Sequence, residues 1–445
     1  MAHSLETVTN SNYTRKRIMG SEQEYGVLPR EFHFKNNSQF QTNGGRLYPD
    51  CGHPEYASPE TSNPLDAVIY DKAGELMVQQ RVLGENVRFF KNNRDNTGNS
   101  FASHENYSVG YNPVFYSVFQ GIINRIIPFL VSRIIFTGNG FINKKGYYEL
   151  SQRAGVTRVC VSRFSNGDDK PIFSEKDESH AYEGLKRLHV VNGDANMAEP
   201  ALFLKYGTMG LVLDLFEDGK LEDFSLAYPI ETLHAISSDL QFTRRYSVNS
   251  QGKMTAVEIQ RVFYEHAEKA YRGRDVMTDD ILNRWKFVLD SLEDNPMRLN
   301  RQIDWVIKKN LIDSFMKRTG KKINDMSVRN IDLQYHEVNR KTGLFYKLQN
   351  AGLVDRLVDD KQIEYAVENP PEDTRARFRA FFVRKNLRDR LIDWKFVVYA
   401  SEKEVMVEKC VRCPIKECAQ YAPEIIRIDI SDPFQTYEAL QEKFR

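Results

Sequence analysis

Cysteine is scarce, with five in 445 residues. That is too few for a disulfide framework in a chain of this size, and the expectation is a reducing, cytoplasmic setting. An excess of one charge is also missing. Lys+Arg 62 against Asp+Glu 61 leaves +1, so no global field advertises nucleic acid or membrane, and neither is expected as a partner. The opening MAHSLETVTNSNYTRKR has no apolar stretch, so no secretory signal is read there. A clean run of the ~18–20 apolar residues that a membrane span needs is absent as well. The most apolar stretch, 113–136, is interrupted by Asn124, Arg125 and Arg133 and is expected to form one long buried helix. No repeats or low-complexity segments appear. What remains is an ordinary soluble composition, 41% hydrophobic and 28% charged, in a chain long enough for one large and one small domain.

Strand-like segments separated by Asn, Gly and Pro dominate from Arg15 to about Asn112: KRIMGSEQEYGV, GGRLYPD, VRFFKNN and SFASHENYSV. A helix is expected over 64–80. Further strands surround SQRAGVTRVCVSR and LHVVNGD. Apolar residues recurring at i, i+3 and i+4 make 254–319 helical. Strand-like WKFVVYA and VMVEKCV follow. The division read from this is a domain over 15–384 and a small C-terminal domain over 385–445.

In MGSEQEYGV, Glu22 and Glu24 are two apart, so on a strand both carboxylates share one face. GGRLYPD repeats the arrangement with Tyr48 and Asp50, and Glu55 follows after a Cys-Gly-His-Pro turn. Four acidic groups on one sheet face repel one another without a cation, and hard oxygen donors in that number suit Mg²⁺ bridged to substrate phosphates. The same spacing also fits a solvated strand face. SFASHENYSV adds His104, Glu105 and Asn106, polar on both faces and poorly explained as core. Asn92 and Asn93 in KNNRDN are amide donors or turn residues.

Taken in order, MGSEQEYGV, NGGRLYPDCGHPEYASPE, DKAGE, FKNNRDNTGNSFASHENY, LSQRAG, KRLHVVNGDANM and IDLQYHEV resemble the motifs of the Pup ligase/Pup deamidase (Dop) family, from about Arg17 to Arg379. The resemblance implies an α+β fold similar to glutamine synthetase and the carboxylate-amine ligases, with a curved antiparallel sheet, helices behind it and a small C-terminal domain. It implies ATP and Mg²⁺ as cofactors, and Pup (a small disordered protein modifier), a Pup-like modifier or pupylated proteins as partners. By match to the motifs, Glu22, Tyr48 and Glu55 would hold one Mg²⁺ and Glu24 would help hold another. Asp50 stands at the catalytic aspartate position, ionised beside two cations. Arg153 would face ATP phosphates, a task suited to a permanently charged donor fork. Asn92, His104 and His189 are further candidates around the cofactor, His189 as a metal-site residue or a histidine supporting one.

Within the family, two residues (Cys51, Gly52) separate Asp50 from His-Pro-Glu, where the ligase pattern has three. NPMRLNRQIDWV, IDLQYHEV, RLVDD and PPEDTRARFR also read closer to deamidases, while IDWVIKKNL is ligase-like. The connector VLPREFHFKNNSQFQTN is too short for the Dop-loop. In KPIFSEKDESH, Lys170 and Lys176 stand where the family has arginines. The expectation is an ATP-dependent deamidase or depupylase lacking the Dop-loop. The alternatives are a divergent homologue that cleaves ATP outside the Pup pathway, a Pup ligase, and an inactive modifier-binding scaffold. Cys410, Cys413 and Cys418 form C-x2-C-x4-C, read as free thiols or a structural metal site. Arg375, Arg377, Arg379 and Arg384 are read as a solvated face or a groove for an acidic peptide.

Overall fold

A computed structural model describes residues 13–29, 32, 39–50, 52–81, 86–95, 99–110, 118–163, 169–174, 182, 184–249, 251–385, 391–407 and 420–442. The three clustered cysteines, Cys51 and Lys176 lie outside these residues.

Strict alternation along its strands organises the main sheet. The strands are β1 (Met19–Glu24), β2 (Gln39–Phe40), β3 (Arg46–Asp50), β4 (His53–Ala57), β5 (Ser103–Gly110), β6 (Val159–Ser162), β7 (Pro171–Ser174) and β8 (Leu185–Val190), in the spatial order β6-β7-β8-β5-β1-β4-β3-β2. All neighbours pair antiparallel except β6 and β7, a parallel pair at one edge. The expected antiparallel sheet is therefore mixed at that margin. One face carries Met19, Leu47, Tyr56, Tyr107, Leu188 and Val190, all buried. Helices cover this face, α1 (Pro64–Gln80) and α2 (Glu199–Glu217) among them, with the helices Ala256–Tyr271, Val276–Asp294 and Asp304–Thr319 extending the same core. The other face is left for chemistry.

Helix α1 starts where the sequence says it should. The Asn63 side chain accepts the Asp66 N–H, and Pro64 occupies the first turn, where its missing N–H leaves nothing unpaired. Gly74 lets α1 approach the sheet, since a Cβ there would fall 2.2 Å from the Tyr56 ring. Tyr56 adjoins Glu55, so this contact fixes the height of a site residue.

Two expectations are corrected. The described part of the apolar stretch forms three short helices, Val118–Arg125, Ile127–Ser132 and Ile134–Thr137. Pro128 starts the second of them, and Arg133, between the second and third, turns its guanidinium inward to the buried Glu105 carboxylate at 2.6 and 2.9 Å. The arginines of TRARFR are likewise not a shared solvated face. Arg375 and Arg379 are fully buried on the carboxylate of Glu60, while Arg377 and Arg384 remain at the surface. After the helix Ala376–Lys385 come the antiparallel strands β9 (Leu391–Ile392), β10 (Phe396–Val407) and β11 (Gln420–Asp429). Phe378, Phe382, Val397 and Ile430 form a second apolar cluster there.

Candidate active site on the acidic sheet face

Register brings the polar positions together. Glu55 of β4 lies opposite both Tyr48 of β3 and Glu24 of β1, Asp50 is paired with His53, and Glu22 is paired with His104 of β5. Beyond β5, His189 of β8 is paired with Asn106. Apart from Glu105, which alternation turns to the core face and onto Arg133, the residues singled out on these five strands therefore occupy one continuous face.

They fall into two groups. Carboxylate oxygens of Glu24, Asp50 and Glu55 all lie within 4.8 Å of one another. The Tyr48 hydroxyl donates to Glu55, and Glu24 accepts the Ala102 N–H at 3.0 Å. Burial pushes the Glu55 carboxyl well above the ordinary glutamate range, and the negative charges of Glu22 and Glu24 push it further. Three carboxylates this close, Glu24 and Glu55 buried and Asp50 half-buried, are a set of hard oxygen donors of the kind Mg²⁺ takes.

The second group is Glu22 with His104 and His189, whose donor atoms again lie within 4.8 Å of one another. Glu22 Oε2 is 3.2 Å from His104 Nδ1 and 3.3 Å from His189 Nε2, and Oε1 accepts from Arg187 at 2.7 Å. Burial alone would raise Glu22, but Arg187, His189 and His104 together outweigh it and hold the carboxyl well below its usual range. Burial lowers His189 to about 3, against the pull of Glu22, so its ring is neutral. The His189 Nδ1 is buried without a hydrogen-bond partner, and Nε2 faces the Glu22 carboxylate. A neutral imidazole with an idle, buried lone pair beside a carboxylate is the state in which histidine ligates metals, so these residues fit a divalent cation.

Around the two groups the face is small or aromatic. Gly20, Ala57, Ser58, Asn106 and Ser108 floor a narrow hollow beside Glu22 that Trp394 helps line. The Arg46 guanidinium stacks 5.2 Å from the Tyr48 ring centroid and 5.6 Å from that of Phe40, whose edge meets Trp394. Arg153 is buried, its guanidinium donating to the Phe101 and Val191 carbonyls, and burial lowers its pKa against the attraction of Glu24. Asn92 stands apart from both groups and lines a larger cavity beyond them. The sequence motifs thus supplied Glu22, Glu24, Tyr48, Asp50, Glu55, His104 and His189 to one face, with Arg153 at its border. Arg187, Arg46 and Trp394 were missed. Alternation with His189 in KRLHV signals Arg187, whereas Trp394 reaches the face from the far end of the chain and nothing local marks it.

Fold and site define an α+β protein whose acidic sheet face gathers two sets of cation-type ligands. The chain belongs to the Pup ligase family: the family model described as "Pup-ligase protein" matches residues 30–398. It is 39% identical to the depupylase of Acidothermus cellulolyticus over 357 residues, 76% of this chain and 70% of that one. It is 37% identical to the Pup deamidase/depupylase of Mycobacterium tuberculosis, covering 80% of this chain and 74% of that protein. It is also 36% identical to the Pup–protein ligase of Pseudarthrobacter chlorophenolicus, covering 85% and 92%. Among solved structures, the Pup ligase PafA in complex with Pup superposes with a TM-score of 0.83 at 30% identity, covering 96% of this chain and 92% of that one. PafA in complex with ADP gives 0.78 at 30% identity, covering 93% and 90%. The family is enzymatic and ATP-dependent, and its named members here include both hydrolases and ligases.

Proposed function

We propose that the protein is an ATP- and Mg²⁺-dependent amide hydrolase of the depupylase branch. It would act on the C-terminal side-chain amide of Pup or a Pup-like modifier, whether a glutamine amide or an isopeptide bond to lysine. The observation that carries this reading is Asp50, half-buried yet held by the β3–β4 hairpin within 4.8 Å of two cation-type carboxylates. The two-residue Cys51–Gly52 link and the slightly higher identity to depupylases support the hydrolase branch over the ligase branch. Coverage of 92% of the ligase, against 70% of the depupylase, favours ligation as the second reading.

Trp394 and the small-residue floor would hold the base of the nucleotide, and cations on Glu22 and Glu55 would meet its phosphates. Tyr48, Glu22 and Glu55 would hold one Mg²⁺, Glu22 with His104 and His189 a second cation, and Glu24 would complete the set beside Asp50. Bound there, Mg²⁺ supplies charge neutralisation to the phosphates. Asp50 then orients and deprotonates a water, or attacks the amide carbonyl itself. Arg187 and Arg46 offer fixed positive charge to phosphate or carboxylate oxygens. In this reading the sheet forms one lobe over 15–384 and the strands after 385 a smaller one that lends Trp394.

Purified protein incubated with Mg·ATP and Pup ending in glutamine tests this. The amide-to-acid mass change in Pup, lost in Asp50→Asn by about 10²–10⁴-fold, is the expected result. Conjugation of Pup ending in glutamate to lysine would instead establish the ligase. Asp50-dependent phosphate release with Pup unchanged would move the protein outside the Pup pathway.

A further inference from the structure

Where β1 and β3 run out, beyond Glu24 and Asp50, a cavity of 380 Å³ opens, flanked by Gly26, His53, Phe90 and Phe101 and closed by Phe141 and Leu333. Its volume is that of a small-molecule site. Four of its lining side chains carry buried polar atoms with no partner: His53 Nδ1, Asn92 Oδ1, Arg94 Nε and His336 Nδ1. A buried polar group left unpaired costs about 1–3 kcal/mol, and four around one cavity mark the contacts of an absent ligand.

The chemistry of that ligand follows from the lining. Asn92 is 4% exposed and donates its Nδ2 to the Arg94 carbonyl at 2.6 Å. That bond fixes the amide orientation and leaves Oδ1 as a free acceptor. A Cβ on Gly26 would stand 3.0 Å from this oxygen and 3.3 Å from the Phe101 ring, so glycine keeps the acceptor open. Formal charges around the cavity nearly balance: Arg94 and Arg329 stand against Asp95 and Asp332, and Lys308, held on Asp332 at 2.6 Å behind the wall, leaves one net positive charge. A polyanion such as a nucleotide would find one net positive charge here against the several negative charges that its phosphates carry. An uncharged alkyl chain ending in an N–H donor finds apolar walls, an acceptor for its nitrogen, and in Arg94 Nε a donor for a backbone carbonyl.

We infer that this cavity receives the lysine side of the scissile bond, namely the alkyl side chain and the first backbone carbonyl of an isopeptide-linked lysine. This rests on the hydrolase reading above. Water supplies the hydroxyl that bonds to the carbonyl carbon. The C–N bond breaks, and the lysine nitrogen takes up a proton and departs as the free amine through the cavity. In simple deamidation the leaving group is ammonia and the cavity contributes little.

Leu333 is half-buried at the cavity wall, remote in sequence from the carboxylates, and Leu333→Trp fills the space. With Mg·ATP, the full chain and this variant are compared on Pup ending in glutamine and on a Pup–lysine conjugate. The expected result is a loss of kcat/KM on the conjugate about tenfold greater than on the glutamine substrate. Equal loss on both, or loss on neither, overturns the inference. If the unaltered protein acts on neither substrate, the hydrolase reading fails by itself, and a direct probe decides the cavity. Saturation-transfer NMR should show Nα-acetyl-Nε-acetyl-lysine methylamide binding the unaltered protein but not Leu333→Trp. No binding to the unaltered protein sinks the assignment. A common melting temperature for the two proteins excludes misfolding as the cause.

Discussion

At the residue scale, Glu22 and Glu55 are neighbours on the acidic face that shift in opposite directions. Glu22 is compensated by Arg187, while burial and its acidic neighbours drive Glu55 the other way. An enzyme tolerates such a residue when a cation repays the repulsion, and the cation then links affinity to stability. Glu55→Gln should leave the melting temperature in EDTA unchanged or raised, because it removes an uncompensated acid. It should also reduce the stabilisation by Mg·ATP, with affinity falling about 10–100-fold, the scale of losing a group that supports a metal. A differential scanning fluorimetry titration measures both, and an undiminished Mg·ATP shift would remove Glu55 from the site. The acidic residues were legible because a period of two is visible within one strand. The Glu22–His104–His189 group was legible only as separate residues. Their contact depends on β1, β5 and β8 being neighbours, and strand order is a property of the fold that local spacing does not encode.

At the scale of elements, α1 was readable to its first and last residue because cap, proline and length agree. The stretch 113–136 misled because apolar continuity says nothing about where a buried arginine must turn inward. Helix α1 also carries a buried ionic cluster in which Lys72 and Lys91 donate to Glu75 at 2.9 Å each, Lys91 also contacts Asp71, and Tyr346 donates to Glu75. Burial raises the Glu75 carboxyl, but Lys72 and Lys91 with the Tyr346 hydrogen bond outweigh it and bring it to about 2 from 4.5. A carboxyl depressed by folding stabilises the native state fully above its unfolded pKa, and that stability is lost as pH falls through the folded value. Between pH 4.5 and about 2 the protein should therefore lose about 3 kcal/mol on account of Glu75. Urea midpoints across that window should fall less steeply in Glu75→Gln, after allowance for that variant's lower starting stability. Parallel pH profiles for the two proteins would contradict this.

At the scale of the whole molecule, one buried carboxylate joins the sheet face to the segment that follows it. Glu60, two residues beyond the Ser58 of the hollow, receives Arg375 and Arg379. Arg375 also donates to the carbonyls of Ile430 and Ser431, and Arg379 stacks 4.7 Å from the Trp394 ring centroid. Floor and roof of the hollow thus share one ion cluster. The sequence offered these arginines as surface charge because their partner lies more than 300 positions earlier. Family membership was legible in long motifs, whereas the choice between hydrolase and ligase rests on features as small as one residue in a turn. Everything proposed for either chemistry presupposes that the acidic face holds a metal–nucleotide pair. Crystals grown with Mn²⁺ in place of Mg²⁺ and a non-hydrolysable ATP analogue test that most directly, through anomalous scattering from the manganese. Manganese is expected on Glu22 and Glu55, bridged to phosphates, with the base toward Trp394 and the 380 Å³ cavity free of nucleotide. Nucleotide in that cavity, or manganese away from these carboxylates, would contradict it.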